Sequence, residues 1–242
     1  MAGAIVNPYA VAAGQLSYEE TLLALGPVGM WMLDESSGNA IDQGTAGIDG
    51  TYTGSVTRAA RTVFGLTAPD FDEGTSRVSI ADNAAWSAHA GASGVMSWVG
   101  LVRFDSGNSG NGSWLSKFSA IKQEFKFWQY AANGNHRGEM FSKYGNTSTY
   151  ATYATGALDT DQFIVYTYDR TIPKIICYVD GSEANTRGAT IYLTEDAGEA
   201  LQIGGEPGTK AYGGAICGVA LFDKVLTPSE ITALYDAAVA GV

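Results

Sequence analysis

Trp128, Tyr130, Phe141, Tyr144, Tyr150 and Tyr153 fall in one stretch of the chain among Asn, Ser, Thr and Gly. An aromatic face stacks on a pyranose ring while short polar side chains meet its hydroxyls, so this mix suits sugar binding. Alternating aromatics also arise in sheets because cross-strand neighbours pack against one another. The candidate carbohydrate contacts are Trp128, Tyr130, Tyr144, Tyr150 and Tyr153, with structural packing as the competing reading.

Other chemistries find less support. His89 and His136 are the only histidines, and neither has a Cys or His neighbour at metal-ligand spacing. No Gly-x-Ser-x-Gly motif offers a serine nucleophile. Both histidines are expected on surface loops. Glu195-Asp196 and Glu199 cluster acids, but Ala197-Gly198 interrupts them and reads as a turn. Gly204 to Lys210 is only superficially like a phosphate loop, since the spacing is incomplete and Pro207 breaks it. No catalytic residues are assigned and no enzyme is expected.

Charge narrows the partners. A formal net charge of -11 repels phosphate backbones and anionic lipid, and no Lys/Arg cluster makes a local exception. Nucleic acid is therefore not an expected partner. No stretch approaches the roughly 18 apolar residues of a membrane helix, so no membrane contact is expected. Met1 to Leu16 has no Lys or Arg ahead of its apolar residues and does not read as a secretory signal. Synthesis in a reducing cytosol is the expectation. The two cysteines, Cys177 and Cys217, each lie inside an apolar run. They read as buried thiols, with a single bridge as the alternative.

The elements that must position these residues are mostly strands. Glycine at 31 residues, aromatics at 11% and charged residues at 16% suit many short strands joined by tight turns. Met96, Trp98, Gly100, Val102 and Phe104 share one side of a two-residue period; Phe125 and Phe127 alternate with Glu124 and Lys126; Ile175, Cys177 and Val179 precede an Asp180-Gly181 turn. Gln162 to Tyr168 and Ala215 to Phe222 are continuously apolar, as central strands covered on both faces would be. With weaker runs near 28–33, 76–80, 113–118, 137–144 and 199–203, the chain should hold on the order of ten to fourteen strands. Two short helices bracket them. Ser17 and Glu20 form a capping box that Gly26-Pro27 closes, and Thr227 and Glu230 form another around Pro228. Ile231, Leu234, Tyr235 and Ala238 follow as a helical stripe. Two packed antiparallel sheets are the natural solution. Residues 1–16 carry no charge and read as an arm, leaving 17–242 as one domain.

Leu25 to Asn39, Gly50-Thr51-Tyr52-Thr53-Gly54, Phe71-Asp72-Glu73-Gly74, Met96-Ser97-Trp98-Val99, Trp114-Leu115-Ser116-Lys117, Tyr178-Val179-Asp180-Gly181, Leu201-Gln202-Ile203-Gly204-Gly205 and Leu221 to Ile231 follow in order. Together they resemble the landmarks of laminin-G-like, concanavalin A-like jelly rolls. The resemblance implies an all-β, two-sheet antiparallel jelly-roll sandwich with short N- and C-terminal helices. It also implies a loop that often helps hold calcium, here matched by Asp42 with Asp49 behind it. The family commonly has an acid in its Ile-Asp-Glu-Val strand, where this chain reads Ile216-Cys217-Gly218-Val219. Losing that ligand should weaken or abolish a calcium site, so no cofactor is expected beyond a degenerate calcium position at Asp42 and Asp49. Glucanases that share the fold imply a Glu-x-Asp-x-x-Glu strand with two carboxyls about 5 Å apart, and no such segment is present.

Domains of this kind behind a short N-terminal helix also resemble accessory proteins of tailed phages. The resemblance therefore implies a non-catalytic virion component, a capsid decoration, fibre or tail part. Its partners would be other virion proteins, joined through residues 1–16, and a host-surface glycan, and it would act as a homo-oligomer. A carbohydrate-binding module or adhesin is the alternative.

Overall fold

The computed structural model describes residues 16–91, 93–119, 122–141, 148–172, 174–188, 196–206 and 212–241, and no side chain from 148 to 153. All but one residue of the expected N-terminal arm lies outside that set. The described residues fold into the expected two-sheet sandwich.

One sheet runs in the order β13 (Ser182–Gly188), β12 (Lys174–Val179), β11 (Gln162–Asp169), β6 (Val95–Phe104), β15 (Gly214–Phe222), β4 (Leu66–Phe71) and β3 (Val56–Val63), and β1 (Gly29–Trp31) also pairs with β15. The other runs β10 (Ser148–Ala154), β9 (His136–Phe141), β8 (Gln123–Gln129), β7 (Gly112–Phe118), β14 (Leu201–Ile203), β5 (Arg77–Ile80) and β2 (Gly50–Thr53). We call them the first and second sheet. Sequence neighbours such as β11 and β12 pair antiparallel, while β15 reaches back to β6 and β4.

Rings fill the space between the sheets. Trp31, Trp86, Trp98, Trp114, Phe125, Phe127 and Tyr166 are all fully buried there. Phe127 and Tyr166, from opposite sheets, stack with centroids 4.3 Å apart and planes 11° apart. Gly138 on β9 makes the room: a Cβ there would stand 2.5 Å from Cε1 of Tyr166. Glycine in this strand thus serves close approach and not flexibility.

A second apolar layer covers the other face of the first sheet. Helix α1 (Tyr18–Ala24) and helix α2 (Pro228–Ala240) bring Tyr18, Leu22, Ile231 and Leu234 onto Val99, Leu101, Phe163 and Phe222. This explains why β11 and β15 read as unbroken apolar runs: both faces are covered. The capping boxes of Ser17 with Glu20 and Thr227 with Glu230 both form. Tyr18 is fully buried and its hydroxyl donates to the Gly218 carbonyl at 3.0 Å. No described helix is long and apolar enough to cross a membrane.

Cys177 and Cys217 are both buried and free. Cys177 faces the inter-sheet core and Cys217 the helix layer, on strands three spacings apart in the order β12, β11, β6, β15. That separation of roughly 14 Å is beyond any disulfide.

The sequence reading needs correction in two places. The described residues hold fifteen strands, more than the expected range; β3 in particular carries almost no buried stripe. Of the eight positions in β3 four are exposed, Thr57, Ala59, Ala60 and Thr62, and Val63 alone is buried. The turn after β3, Phe64-Gly65, takes positive φ at both residues, 51° and 82°. The histidines are the other correction. His89 and His136 are fully buried, not on surface loops, because polar partners distant in sequence receive them: Glu124 lies 3.3 Å from His89 Nε2, and Gln162 3.1 Å from His136 Nε2.

Candidate functional site

Alternation along β8 sends Phe125 and Phe127 into the core and Lys126 and Trp128 to the outer face of the second sheet. Trp128 pairs in register with Arg137 of β9, and Lys126 with Glu139. Tyr130 lies just past β8 and opens the hairpin, where its amide donates to the Asn135 carbonyl at 3.0 Å. Trp128 and Tyr130 stand side by side with ring centroids 5.3 Å apart. The structure thus brings together two of the five sequence candidates.

The other three are not placed with them. Tyr144 lies outside the described residues. Tyr150 belongs to β10, where its backbone pairs with Glu139, and Tyr153 falls in the irregular step between Ala151 and Ala154. Their side chains are likewise outside the description.

The sequence reading missed the charges around the indole. Lys126 Nζ lies 4.4 Å and the Arg137 guanidinium carbon 5.2 Å from the Trp128 ring centroid. Each cation also holds a carboxylate: Lys126 meets Glu206 at 3.0 Å and Arg137 meets Glu139 at 2.6 Å. Arg137 Nη1 donates to the Tyr130 hydroxyl at 2.8 Å, fixing that ring. Burial pushes the Glu139 carboxyl above its usual range while Arg137 and Lys126 pull it back. Phe118 and Phe141 extend the apolar part of the face, 5.2 Å from each other, with Lys126 over Phe118.

The Trp128 indole Nε1 is buried and finds no acceptor among the described residues. A buried N–H without a partner costs on the order of 1–3 kcal/mol. The cluster therefore combines half-buried aromatic surface with carboxylates and cations able to hydrogen-bond hydroxyls.

Asp42 and Asp49, the calcium candidates, sit close together but are otherwise engaged. Asp42 Oδ1 accepts from the amides of Met30 and Gly44, and Oδ2 from Ile48, each at 2.8 Å. Asp49 Oδ1 accepts from the Asp42 amide at 3.0 Å. Calcium takes six to eight oxygen ligands, whereas these two carboxylates already accept four backbone amides between them and pin the loop onto β1. The residues present do not fit the ion. Among the described residues no group of three His, Cys, Asp or Glu is placed to hold a metal.

A family model described as the concanavalin A-like lectin/glucanases superfamily matches residues 71–232. No curated protein matches the sequence. Among solved structures, the botulinum neurotoxin serotype D binding domain superposes with a TM-score of 0.67 at 12% identity, over 89% of this chain and 52% of that one. The binding domain of botulinum neurotoxin DC in complex with SialylT gives 0.67 at 10% identity, over 88% and 52%. A botulinum neurotoxin type C structure, described as dependent on two ganglioside molecules for cell entry, gives 0.66 at 11% identity, over 88% and 51%. This chain spans about half the length of each, and at such identity the likeness is one of fold.

Proposed function

The chain belongs to the concanavalin A-like lectin/glucanase superfamily, and from that premise we propose that it is a non-catalytic binding module whose second sheet contacts carbohydrate at Trp128 and Tyr130. The observation that carries the reading is the adjoining pair of Trp128 and Tyr130 rings, bordered on the same face by Lys126, Arg137, Glu139 and Glu206. The neighbours described with SialylT and gangliosides give the fold a precedent for glycan contact. Against catalysis stands the absence from the sequence of a same-face carboxylate pair of the glucanase kind, and the acids of this face, Glu139 and Glu206, are held by cations. A glycan array followed by titration calorimetry tests the reading. Wild type should bind a subset of glycans, and Trp128→Ala should lose at least about tenfold in affinity while keeping its melting transition. A silent array, or undiminished binding by the variant, overturns it.

The setting proposed for the module is the particle of a tailed phage, as a homo-oligomeric decoration, fibre or tail component. The uncharged composition of residues 1–16 favours this. Deleting residues 1–16 should leave a folded domain that no longer joins particles; undiminished incorporation would count against the arm.

A further inference from the structure

Lys117 on β7 is fully buried, and its Nζ sits among four oxygens: Glu124 Oε1 at 2.5 Å, Asp82 Oδ1 at 2.8 Å, Ser87 Oγ at 2.8 Å and Asp196 Oδ1 at 3.1 Å. These oxygens come from four separate places: β8, the turn after β5, the 3₁₀ turn Ala84–Ser87, and the segment before β14. Glu124 is itself fully buried and accepts further from Ser87 Oγ and the Ala197 amide, each at 2.8 Å, with His89 Nε2 at 3.3 Å. One ammonium thus faces three carboxylates. Burial alone would lower the Lys117 pKa, but the bonds to Asp82, Glu124 and Asp196 outweigh it and hold the group above its ordinary value.

Oxygen sets of carboxylates and a hydroxyl, gathered from several loops around one point, are what hard divalent cations select. Here a tethered amine stands at that point. We propose that the Lys117 ammonium is a built-in substitute for a divalent cation, filling the cage of Asp82, Ser87, Glu124 and Asp196 so that this end of the sandwich closes without calcium. A covalently attached cation has no dissociation equilibrium, so the four segments stay joined at any calcium concentration. Taking it away leaves like charges facing one another, which a free divalent ion can neutralise.

The test measures thermal melting of the whole chain in calcium, magnesium or chelator. Wild type should melt within about 1 °C in all three. Lys117→Ala and the near-isosteric Lys117→Gln should melt lower in chelator and regain roughly 5–11 °C in calcium at about 100 times its Kd, with one calcium per chain by calorimetry. Adding Asp82→Asn and Asp196→Asn to either variant should remove the response. The proposal is overturned if wild type itself gains stability from calcium. It is equally overturned if neither lysine variant responds, including variants that stay unfolded when refolded in calcium.

Discussion

Asp180 and Phe163 bond each other twice: the Asp180 carboxylate accepts the Phe163 amide at 3.0 Å, and the Asp180 amide donates to the Phe163 carbonyl at 2.9 Å. The pair locks the start of β11 to the turn that follows β12, where Asp180 itself holds a positive φ of 49°. Asp180→Ala removes the acceptor and the short polar side chain that eases the left-handed conformation, for a loss of about 1–3 kcal/mol. Asp180→Asn keeps an acceptor oxygen and tolerates that φ, so urea unfolding should place it within about 1 kcal/mol of wild type. Equal losses in the two variants would contradict this account.

Asp42 serves three backbone amides with two oxygens. Asp42→Asn turns one oxygen into a donor that faces an amide, and should cost about 2–3 kcal/mol in denaturant unfolding. With both carboxylate oxygens engaged by amides, the loss should be the same in calcium and in chelator.

Burial drives the His136 imidazole down from 6.5 to about 4, against the opposing bond to Gln162. The unfolded chain therefore binds a proton that the folded chain refuses between those values. The contribution of this group is full above about pH 6.5, declines as pH falls through the window to about 4, and is flat below it. The span amounts to about 3 kcal/mol. In unfolding measured across that range, His136→Gln should show a shallower pH slope than wild type; an unchanged slope would refute the assignment.

Gly138 gives the Tyr166 ring its seat. Gly138→Ala should lower stability by about 1–3 kcal/mol through overpacking. Tyr166→Leu in the same chain should recover part of that loss, a non-additivity measurable by a double-mutant cycle.

What could be read from the sequence was what chain neighbours decide. Ser17 with Glu20 and Thr227 with Glu230 are three residues apart, so both helix starts were legible. So was the two-residue alternation that puts Phe125 and Phe127 inside and Trp128 on the opposite face. Trp128 and Tyr130 were placed together for the same reason. Arg137 was missed because it joins them only once the hairpin sets its register, although Lys126 shares the period of Trp128 and could have been found. Strand β3 hid because an edge strand needs no apolar stripe. Lys117 and Asp196 lie 79 positions apart, and no local pattern announces such a meeting. The buried histidines were misjudged on the same ground: the polar groups that receive them belong to other strands.

The placement of Cys177 and Cys217 on opposite faces of one sheet, three strands apart, has a practical corollary. With the Cys177 thiol pushed up to about 12 by burial and that of Cys217 raised further still, almost no thiolate exists at neutral pH, and none meets a partner within the folded chain. The covalent structure is indifferent to oxidants and reductants so long as the fold holds. A maleimide reagent thereby becomes a clock for opening: each sulfur that reacts records a layer of the sandwich that came apart.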